Sequence, residues 1–207
     1  MHVDNLADCL DRAALNAPHT MPHGGRPYRT IHDAGIQRER HMRPILCGQS
    51  RRHAGLIHDY VAFYFGVHSP MLLQLKTGQV EGYSEGQEPL IYLVSTAQAV
   101  EAADLTFVFS DGQGIAKYTS WFDDLADLAK LDWPTIRARI WRSTVDDPDR
   151  QRRKQAEFLV KSACPWRVVA EIGVYDDNVK STVDNLLASY PAEIRRPVQI
   201  RRNWYYP

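Results

Sequence analysis

One carboxylate stands where a strongly basic run of the sequence meets an apolar run. Glu157 begins the stretch 157–161 and follows four cations, Arg150, Arg152, Arg153 and Lys154. Apolar, β-prone residues predict a buried strand, whereas clustered charge predicts an exposed surface. A carboxylate at that junction would be both rigid and accessible, which suits chemistry on an anionic substrate. The same pattern is also typical of a structural acid at a strand edge.

A second group of charged residues, Gln37–Arg40, could bind phosphate. Arginine suits a pyrophosphate because its planar fork matches the oxygens and its charge is permanent. Arg38 and Arg40 are both candidates for that contact, and a solvated charged loop would explain the same residues.

Aromatic residues at Phe63–Phe65 predict a strand with one face in the core. Phe63 and Phe65 share a face, and we expect them to be buried. Tyr64 points to the opposite face, where it could line a site. Met71 could pack its flexible thioether against a planar ring, or it could simply fill the core.

Composition is typical of a globular protein with a core of its own. The chain has 207 residues, 44% of them apolar, and neither a run suited to a membrane helix nor a signal-peptide start. Three widely spaced cysteines predict a reducing, cytoplasmic location. The formal net charge is zero, yet arginines concentrate in the C-terminal third and could bind phosphates. His53, His58 and His68 lack metal-ligand spacing, so we expect no metal site.

The order of predicted elements indicates an α+β fold, because strands and helices mix without regular alternation. We expect a helix at 5–14, little regular structure at 17–55, and either a helix or a strand at 71–75. Further helices are predicted at 120–130 and from Asp132 through Ile140, and a polar loop at 143–154. Predicted strands lie at 60–65, 90–94, 105–109, 157–161, 168–175 and 197–202, with a helix at 179–187 before the last. No linker or repeat is evident, so we expect one domain, 1–207.

Short motifs along essentially the whole chain occur in the order of one protein family. They are His2-Val3-Asp4-Asn5-Leu6, Ile36-Gln37, His58-Asp59-Tyr60-Val61, Phe63-Tyr64-Phe65, Ser69-Pro70-Met71-Leu72, Gly86-Gln87-Glu88, Tyr92-Leu93-Val94-Ser95, Phe107-Val108-Phe109, Leu131-Asp132-Trp133 and the block from Arg153 to Val160. With this ordered set the chain resembles the DarT family, toxins that transfer ADP-ribose from NAD to DNA bases. It looks closest to the branch that modifies thymidine in single-stranded DNA.

The resemblance implies an ADP-ribosyltransferase-like fold, with a central mixed or antiparallel β-sheet core and flanking helices. Glu157 would be the catalytic residue, since a fixed carboxylate can stabilise the positive ribose that forms as nicotinamide leaves, or deprotonate the acceptor. Arg40, just after the Ile-Gln pair, would be the active-site arginine, and Arg38 is a less close match.

The resemblance also implies which residues bind the two substrates. NAD, used as a substrate, would contact His2, Asn5, Arg40 and Tyr64. DNA would contact the polar loop before Glu157 and residues near the base, namely Met71, Gln113, Arg150, Arg152, Arg153 and Lys154.

The sequence departs from the family pattern at two places. The family has a short strand before the position of His2, ending in a Tyr-His-Ile-Thr-like segment whose histidine contacts NAD, and the sequence given begins after it. We therefore expect either a start codon placed too late or a weakened enzyme. Gln113 stands where the family often has a histidine, and glutamine can form hydrogen bonds but cannot carry a proton.

The partners implied by the resemblance are single-stranded DNA, NAD and a DarG-like macrodomain antitoxin, with no membrane. Two alternatives stay open at this point. The chain could be a nucleic-acid-binding module of the same fold that no longer catalyses. It could also transfer ADP-ribose to RNA or protein, since those enzymes would share the NAD pocket.

Overall fold

Strands of both directions form three sheets in the computed structural model, which describes residues 1–21, 26–48 and 50–207. Residues 22–25 and 49 of the predicted irregular stretch 17–55 lie outside this description. The strands are β1 (Ala14–Asn16), β2 (Pro44–Cys47), β3 (Arg52–Leu56), β4 (Tyr60–Tyr64), β5 (Tyr92–Val94), β6 (Phe107–Ser110), β7 (Trp121–Phe122), β8 (Glu157–Lys161), β9 (Ala163–Pro165), β10 (Glu171–Val174) and β11 (Val198–Ile200).

The largest sheet of the described residues has the strand order β3-β2-β7-β6-β8-β4. Its β8 pairs antiparallel with both β4 and β6, whereas β2 and β7 are parallel. A second sheet has the order β11-β10-β5, and β1 pairs with β9. This mixed sheet arrangement with flanking helices confirms the predicted α+β class.

Helices surround these sheets, and some are very short. They are α1 (Leu6–Asp11), α2 (Ala34–Met42), α3 (Pro70–Lys76), α4 (Ala97–Ala102), α5 (Trp133–Arg137), α6 (Arg150–Lys154) and α7 (Asp177–Ala188). Single 3₁₀ turns include Pro18–Thr20 and Ile57–Asp59. Across the described part of the chain, no helix combines the length and the apolar character that a membrane crossing requires.

Strand β8 separates two apolar clusters, and this fixes which way Glu157 points. Phe158 and Val160 pack in one cluster, while Leu159 packs in another with Ile57 and Trp121. Side chains alternate along a strand, so Glu157 shares the face of Leu159. The first four residues of β8 are all buried, which matches a central strand covered on both faces.

Aromatic stacking stabilises the side of the sheet opposite Glu157. Phe109 stacks on Phe122 and Phe158 with ring centroids 5.3 Å and 6.3 Å apart. Phe65 meets Phe158 edge-on at 5.9 Å, and Phe63 packs against the same cluster. Phe63 and Phe65 are only half-buried, but both pack against this cluster, and the aromatic layer supports β8 from this side.

Local capping explains the elements that the sequence predicted well. Ser69 accepts a hydrogen bond from the backbone of Leu72 and Pro70 occupies the first turn, so the open segment 71–75 is a helix, α3. Asp176 caps α7 in the same way, and Val183 and Leu187 of that helix are buried.

Four sequence predictions of local structure were wrong. The predicted helix 120–130 starts as β7, because Trp121 and Phe122 pair with β6, and continues as the 3₁₀ helix Leu125–Lys130. Helix α5 ends at Arg137, which leaves Ile140 79% exposed. The polar loop 143–154 ends in α6, and the stretch 17–55 contains α2, β2 and β3.

Candidate active site

Glu157 forms a buried ion pair with Arg40, which is far away in the sequence. Arg40 Nη1 donates to Glu157 Oε1 at 2.9 Å, and Nη2 donates to Oε2 at 2.8 Å. The glutamate side chain is 4% exposed and the arginine side chain 13%. Parallel, bidentate contacts of this kind are the strongest that arginine makes with a carboxylate. The structure therefore brings together the two residues that the sequence predicted to be catalytic.

The turn after β6 holds Glu157 from a second direction. The Gly114 amide donates to Glu157 Oε1 at 3.2 Å, and the Glu157 amide donates to Ser110 Oγ at 3.1 Å. Ser110 in turn donates to the Gly112 carbonyl at 2.6 Å. The carboxylate thus has both a charged and a backbone donor, and its strand position is locked by a side-chain hydroxyl.

Gly112 allows this turn to approach α6 closely. A Cβ atom at this position would lie 2.8 Å from the carbonyl oxygen of Arg152 and 2.4 Å from its Nη1 atom. Backbone cannot yield as a flexible side chain can, so a larger residue would push the turn away from Glu157. The turn is therefore a structural support of the site.

Tyr64 lies directly across the sheet from Glu157. The two residues are opposite partners in the β4–β8 ladder, so their side chains emerge on one face. The Tyr64 residue is 37% exposed. Desolvation of its hydroxyl, followed by the charge of Glu157, raises the pKa of Tyr64 above its usual value. The phenol therefore stays protonated and can donate a hydrogen bond beside the carboxylate.

Helix α2 carries Arg40 to the site. Asp33 caps this helix by accepting from the Ile36 amide at 2.8 Å. Gln37 of the Ile-Gln pair contacts His58, with 2.9 Å between Oε1 and Nε2. Arg38, the alternative register in the sequence, is exposed, so the structure brings Arg40 rather than Arg38 to Glu157.

His2 and Asn5 are buried at the start of the chain and make local contacts. His2 Nδ1 accepts from the Asp4 amide at 3.2 Å, and desolvation lowers the pKa of His2. Asn5 accepts from the Arg29 amide at 2.7 Å and donates to the Arg29 carbonyl at 2.9 Å. Asn5 therefore fixes the backbone at Arg29, and both predicted NAD contacts are rigidly held.

Aspartates surround the arginines that precede Glu157. Arg152 is 10% exposed, and it contacts Asp149 through Nε and Asp111 through Nη1, each at 2.7 Å. Arg153 contacts Asp132 and Asp147, both at 2.8 Å. These ion pairs hold α6 against the turn after β6. In this conformation neither guanidinium is free to bind phosphate, so the predicted basic surface is largely neutralised here.

Lys154 is a correction to the predicted DNA surface. Its side chain is buried, and Nζ donates to the carbonyls of Ile136 and Ala138 at 2.7 Å and 2.8 Å. Desolvation lowers the pKa of Lys154 to about 8. The ammonium group closes the end of α5, because it satisfies carbonyls that the short helix leaves open. It does not face solvent as a phosphate contact would.

The remaining predicted DNA contacts differ in exposure. Arg150 is 31% exposed, and it contacts Asp147 at 3.6 Å and donates to the Ile140 carbonyl at 3.2 Å from Nη2. Met71 is half-buried against the cluster that contains Tyr205, as the packing alternative predicted. Gln113 is half-buried in the turn after β6, and its amide donates to the Arg152 carbonyl at 3.0 Å. Gln113 is thus adjacent to Gly114, which contacts the carboxylate.

Sequence reasoning missed two groups of residues that build this site. Asp147 and Asp149 directly precede the arginines in the sequence, and this adjacent acidic run was visible as a signal for local ion pairs. Gly114 and Ser110 hold Glu157 through a backbone amide and a hydroxyl. Such long-range contacts have no local sequence pattern that would predict them.

An open surface cavity of about 520 Å³ lies elsewhere, at the other end of the sheet. Tyr60 and Lys161 line it, and these two residues are opposite partners at the far end of the β4–β8 ladder from Tyr64 and Glu157. The chemistry-bearing residues are therefore not the ones that line this cavity.

Known proteins are similar to this chain in both sequence and structure. Residues 1–206 match the model of the family described as "ssDNA thymidine ADP-ribosyltransferase, DarT". A DNA ADP-ribosyl transferase of Thermus sp. (strain 2.9) is 42% identical over 206 residues, which cover 99% of this chain and 93% of the relative.

Solved structures of Thermus sp. 2.9 DarT superpose on the whole chain. The complex with ADP-ribosylated single-stranded DNA has a TM-score of 0.90 at 40% identity, covering 100% of this chain and 93% of the other. The complex with NAD⁺ has a TM-score of 0.85 at 38% identity, covering 100% and 94%. The chain belongs to the DarT family of single-stranded DNA thymidine ADP-ribosyltransferases.

Proposed function

We propose that this chain transfers ADP-ribose from NAD to a thymidine base of single-stranded DNA. The single observation that carries the proposal is the buried, bidentate pair of Arg40 and Glu157, with Tyr64 across the sheet. The DarT relatives of similar sequence and fold act on DNA, and one of them was solved with NAD⁺. The chain would act as one domain.

Glu157 would act on both sides of the transfer. The bond between the ribose C1′ and nicotinamide breaks, nicotinamide leaves with the electron pair, and positive charge develops on the ribose. A fixed carboxylate nearby stabilises that charge, and preorganised groups do so without reorganisation at the moment of reaction. The acceptor nitrogen of thymine forms the new bond to C1′ and loses its proton, which Glu157 can accept.

Arg40 would have two partners in the catalytic cycle. Its guanidinium is permanently charged and its fork suits the pyrophosphate of NAD as well as a carboxylate. It holds Glu157 in place through two hydrogen bonds. Bound NAD would compete for the same donors, so the arginine would couple substrate binding to the freedom of the catalytic carboxylate. His2 and Asn5 are the further NAD contacts that we propose.

On the acceptor side, Arg150 is the strongest proposed phosphate contact. It is the most exposed of the three arginines of α6 and has the weakest hydrogen bonds to protein. Arg152 and Arg153 would hold α6 in position, or exchange their aspartates for phosphates when DNA arrives. We propose that Gln113 and Met71 lie near the modified base. Lys154 is not proposed as a DNA contact.

A module that binds nucleic acid without catalysis is the second candidate, and a different acceptor is the third. Incubation of the chain with NAD labelled in its adenosine part and either single-stranded DNA, duplex DNA, RNA or protein distinguishes the three. The proposal expects label on thymidine-containing single strands alone. Binding of single strands without label transfer would favour the non-catalytic binding module. Label on RNA or protein would show that the acceptor is not DNA.

The cellular setting follows from the proposed reaction. An enzyme that modifies DNA and consumes NAD would damage its own cell, so we propose a toxin that acts in the cytoplasm. Its partner would be a macrodomain antitoxin that removes the ADP-ribose. Co-expression with such a macrodomain should restore growth of cells that the chain alone arrests, and unrelieved arrest would count against the pairing.

A further inference from the structure

Three histidines from distant parts of the sequence meet beside helix α2. His19 is in the 3₁₀ turn Pro18–Thr20, His41 in α2 and His58 in the 3₁₀ turn Ile57–Asp59. Each offers one ring nitrogen, and these three atoms lie within 4.8 Å of one another. The rings meet edge-on, with centroids 4.6 Å, 5.4 Å and 5.7 Å apart. The fold therefore brings one nitrogen of each imidazole into the same small region.

Neighbouring side chains orient two of these rings. His19 Nδ1 is 2.9 Å from Asp59 Oδ1, and Asp59 is itself fixed because its Oδ2 accepts from the Leu56 amide at 2.7 Å. A carboxylate acceptor places the His19 proton on Nδ1 and leaves the lone pair on Nε2. Gln37 Oε1, 2.9 Å from His58 Nε2, leaves the lone pair of His58 on Nδ1 in the same way. This arrangement of a carboxylate or carbonyl behind the imidazole is typical of metal-binding histidines.

The third ring is joined to the first by a hydrogen bond. His41 Nδ1 lies 2.8 Å from His19 Nε2. Since His19 has its proton on the other nitrogen, His41 is the donor of this hydrogen bond. His41 is exposed, so its ring can exchange its proton between the two nitrogens through solvent. All three neutral imidazoles could then offer a lone pair with no net loss of protons.

Helix α2 depends on polar contacts for its attachment to the rest of the protein, because none of its residues is buried. A helix without an apolar face gains little from packing against a core. Its described attachments are instead polar: Arg40 to Glu157, Gln37 to His58 and His41 to His19. The histidine cluster thus lies at the point where the Arg40-bearing helix joins the rest of the protein.

We propose that His19, His41 and His58 bind one Zn²⁺ ion, which fastens helix α2 to the two 3₁₀ turns. Imidazole nitrogen is a good zinc ligand, and three protein ligands with an open fourth position form an ordinary tetrahedral site. Zinc–nitrogen bonds of about 2.0–2.1 Å put the ligand atoms about 3.3 Å apart. The 2.8 Å contact must therefore open slightly and the widest separation must close, which side-chain rotation of the exposed rings permits.

The sequence predicted no metal site because the three ligands are not closely spaced along the chain. His19 and His41 are 22 positions apart and belong to different elements. Only the fold brings them to His58. Zinc binding does not depend on the proposed transfer reaction, since its ligands and its measured stoichiometry are independent of NAD and DNA.

The test starts from the full chain treated with a chelator and then dialysed against Zn²⁺. We expect one zinc per chain by elemental analysis, and a melting temperature that rises with free zinc, because a ligand that binds the folded state stabilises it. His41→Gln and His19→Gln should each weaken zinc binding by at least about a hundredfold, since even outer partners of ligands are worth about 10–100-fold. His53→Gln is the matched control, as His53 is an exposed histidine outside the cluster, and it should bind zinc like wild type.

Hydrogen exchange supplies a readout that does not depend on affinity alone. Zinc should slow exchange of the amides of α2 in wild type and in His53→Gln, but not in His41→Gln. The proposal fails if wild type binds no stoichiometric zinc. It also fails if the His41→Gln and His53→Gln variants bind zinc equally well, or if zinc leaves the exchange of α2 unchanged.

Discussion

Removal of Arg40 should destabilise the protein more than the loss of one surface arginine, because it leaves a buried carboxylate without its charged partner. Glu157 is 4% exposed and would keep the Gly114 amide as a donor while losing both hydrogen bonds from the guanidinium. Breaking a buried ion pair by deleting one partner costs about 3–5 kcal/mol. The arginine side chain is 13% exposed, so water can partly replace it, and we expect about 3 kcal/mol for Arg40→Ala.

That loss would lower the melting temperature by about 6–12 °C in a chain of this size. Domains have about 5–15 kcal/mol of stability, so the variant should remain folded at room temperature. NAD affinity should fall about ten- to a hundredfold, the cost of a lost charge-assisted contact. Calorimetric melting and NAD titration measure the two effects on the same sample.

A second bidentate pair in the chain gives a matched control. Arg201 contacts both oxygens of Glu171 at 2.8 Å, but these side chains are 37% and 22% exposed. Arg201→Ala should therefore lower the melting temperature much less than Arg40→Ala and leave NAD affinity unchanged. Adding Glu157→Gln to Arg40→Ala should recover part of the lost stability, because burying a neutral amide costs less free energy than burying a lone carboxylate. Equal losses at the two arginines, or a double variant less stable than Arg40→Ala, would refute this reasoning.

Three further predictions concern the elements that support the site. Gly112→Ala should cost about 1–3 kcal/mol and reduce transfer, because its Cβ would meet the backbone of Arg152, and an unchanged melting temperature would show that the turn yields freely. The hydrogen bond from Arg152 lowers the pKa of Asp149 in the folded protein below its usual value of 3.8. The ionised carboxylate therefore stabilises the folded state above that pH, and this stabilisation is lost as the pH falls through the lowered pKa of the folded protein. The difference in unfolding free energy between wild type and Asp149→Asn should therefore shrink below about pH 4, and urea unfolding from pH 7 to pH 3 would reveal a constant difference if the pair contributes nothing. Arg150→Ala should flatten the log–log salt dependence of single-strand binding by about 0.7, and an identical slope would place the phosphates elsewhere.

The long, apolar elements of the fold were predictable from local patterns. Strand β8 was recognisable as a short apolar run, which is buried on both faces, and α7 as a helical pattern with one buried face. Helix α2 was not predictable in this way, because a helix with no buried residue has no apolar stripe to detect. Trp121 and Phe122 were assigned to a helix because β7 spans only two residues, and pairing with β6 decided their conformation.

The candidate site shows the same division between local and long-range information. Glu157 and Arg40 were recognisable in the sequence as candidate catalytic and phosphate-binding residues. The resemblance to DarT assigned both of them to one active site. Their contact joins positions 117 residues apart, which no spacing rule could supply. Counting cations in the sequence ignored the aspartates that pair with Arg152 and Arg153 and the burial of Lys154, so it predicted more exposed positive charge than the structure has.

The central claim is that Glu157 is the catalytic carboxylate of an ADP-ribosyl transfer to DNA. Its most direct test compares label transfer from NAD to a thymidine-containing single strand by wild type, Glu157→Gln and Glu171→Gln. Glutamine keeps the shape of the side chain, and Glu171 is another glutamate held by an arginine fork. Wild type and Glu171→Gln should transfer label at similar rates, while Glu157→Gln should lose about 10²–10⁴-fold. Glu157→Gln also leaves Arg40 without its carboxylate, so its melting temperature should fall, but the variant should remain folded at the assay temperature and the loss of transfer should far exceed its unfolded fraction. Transfer by Glu157→Gln above about a tenth of wild type, well short of the loss expected of a general base, would contradict the account.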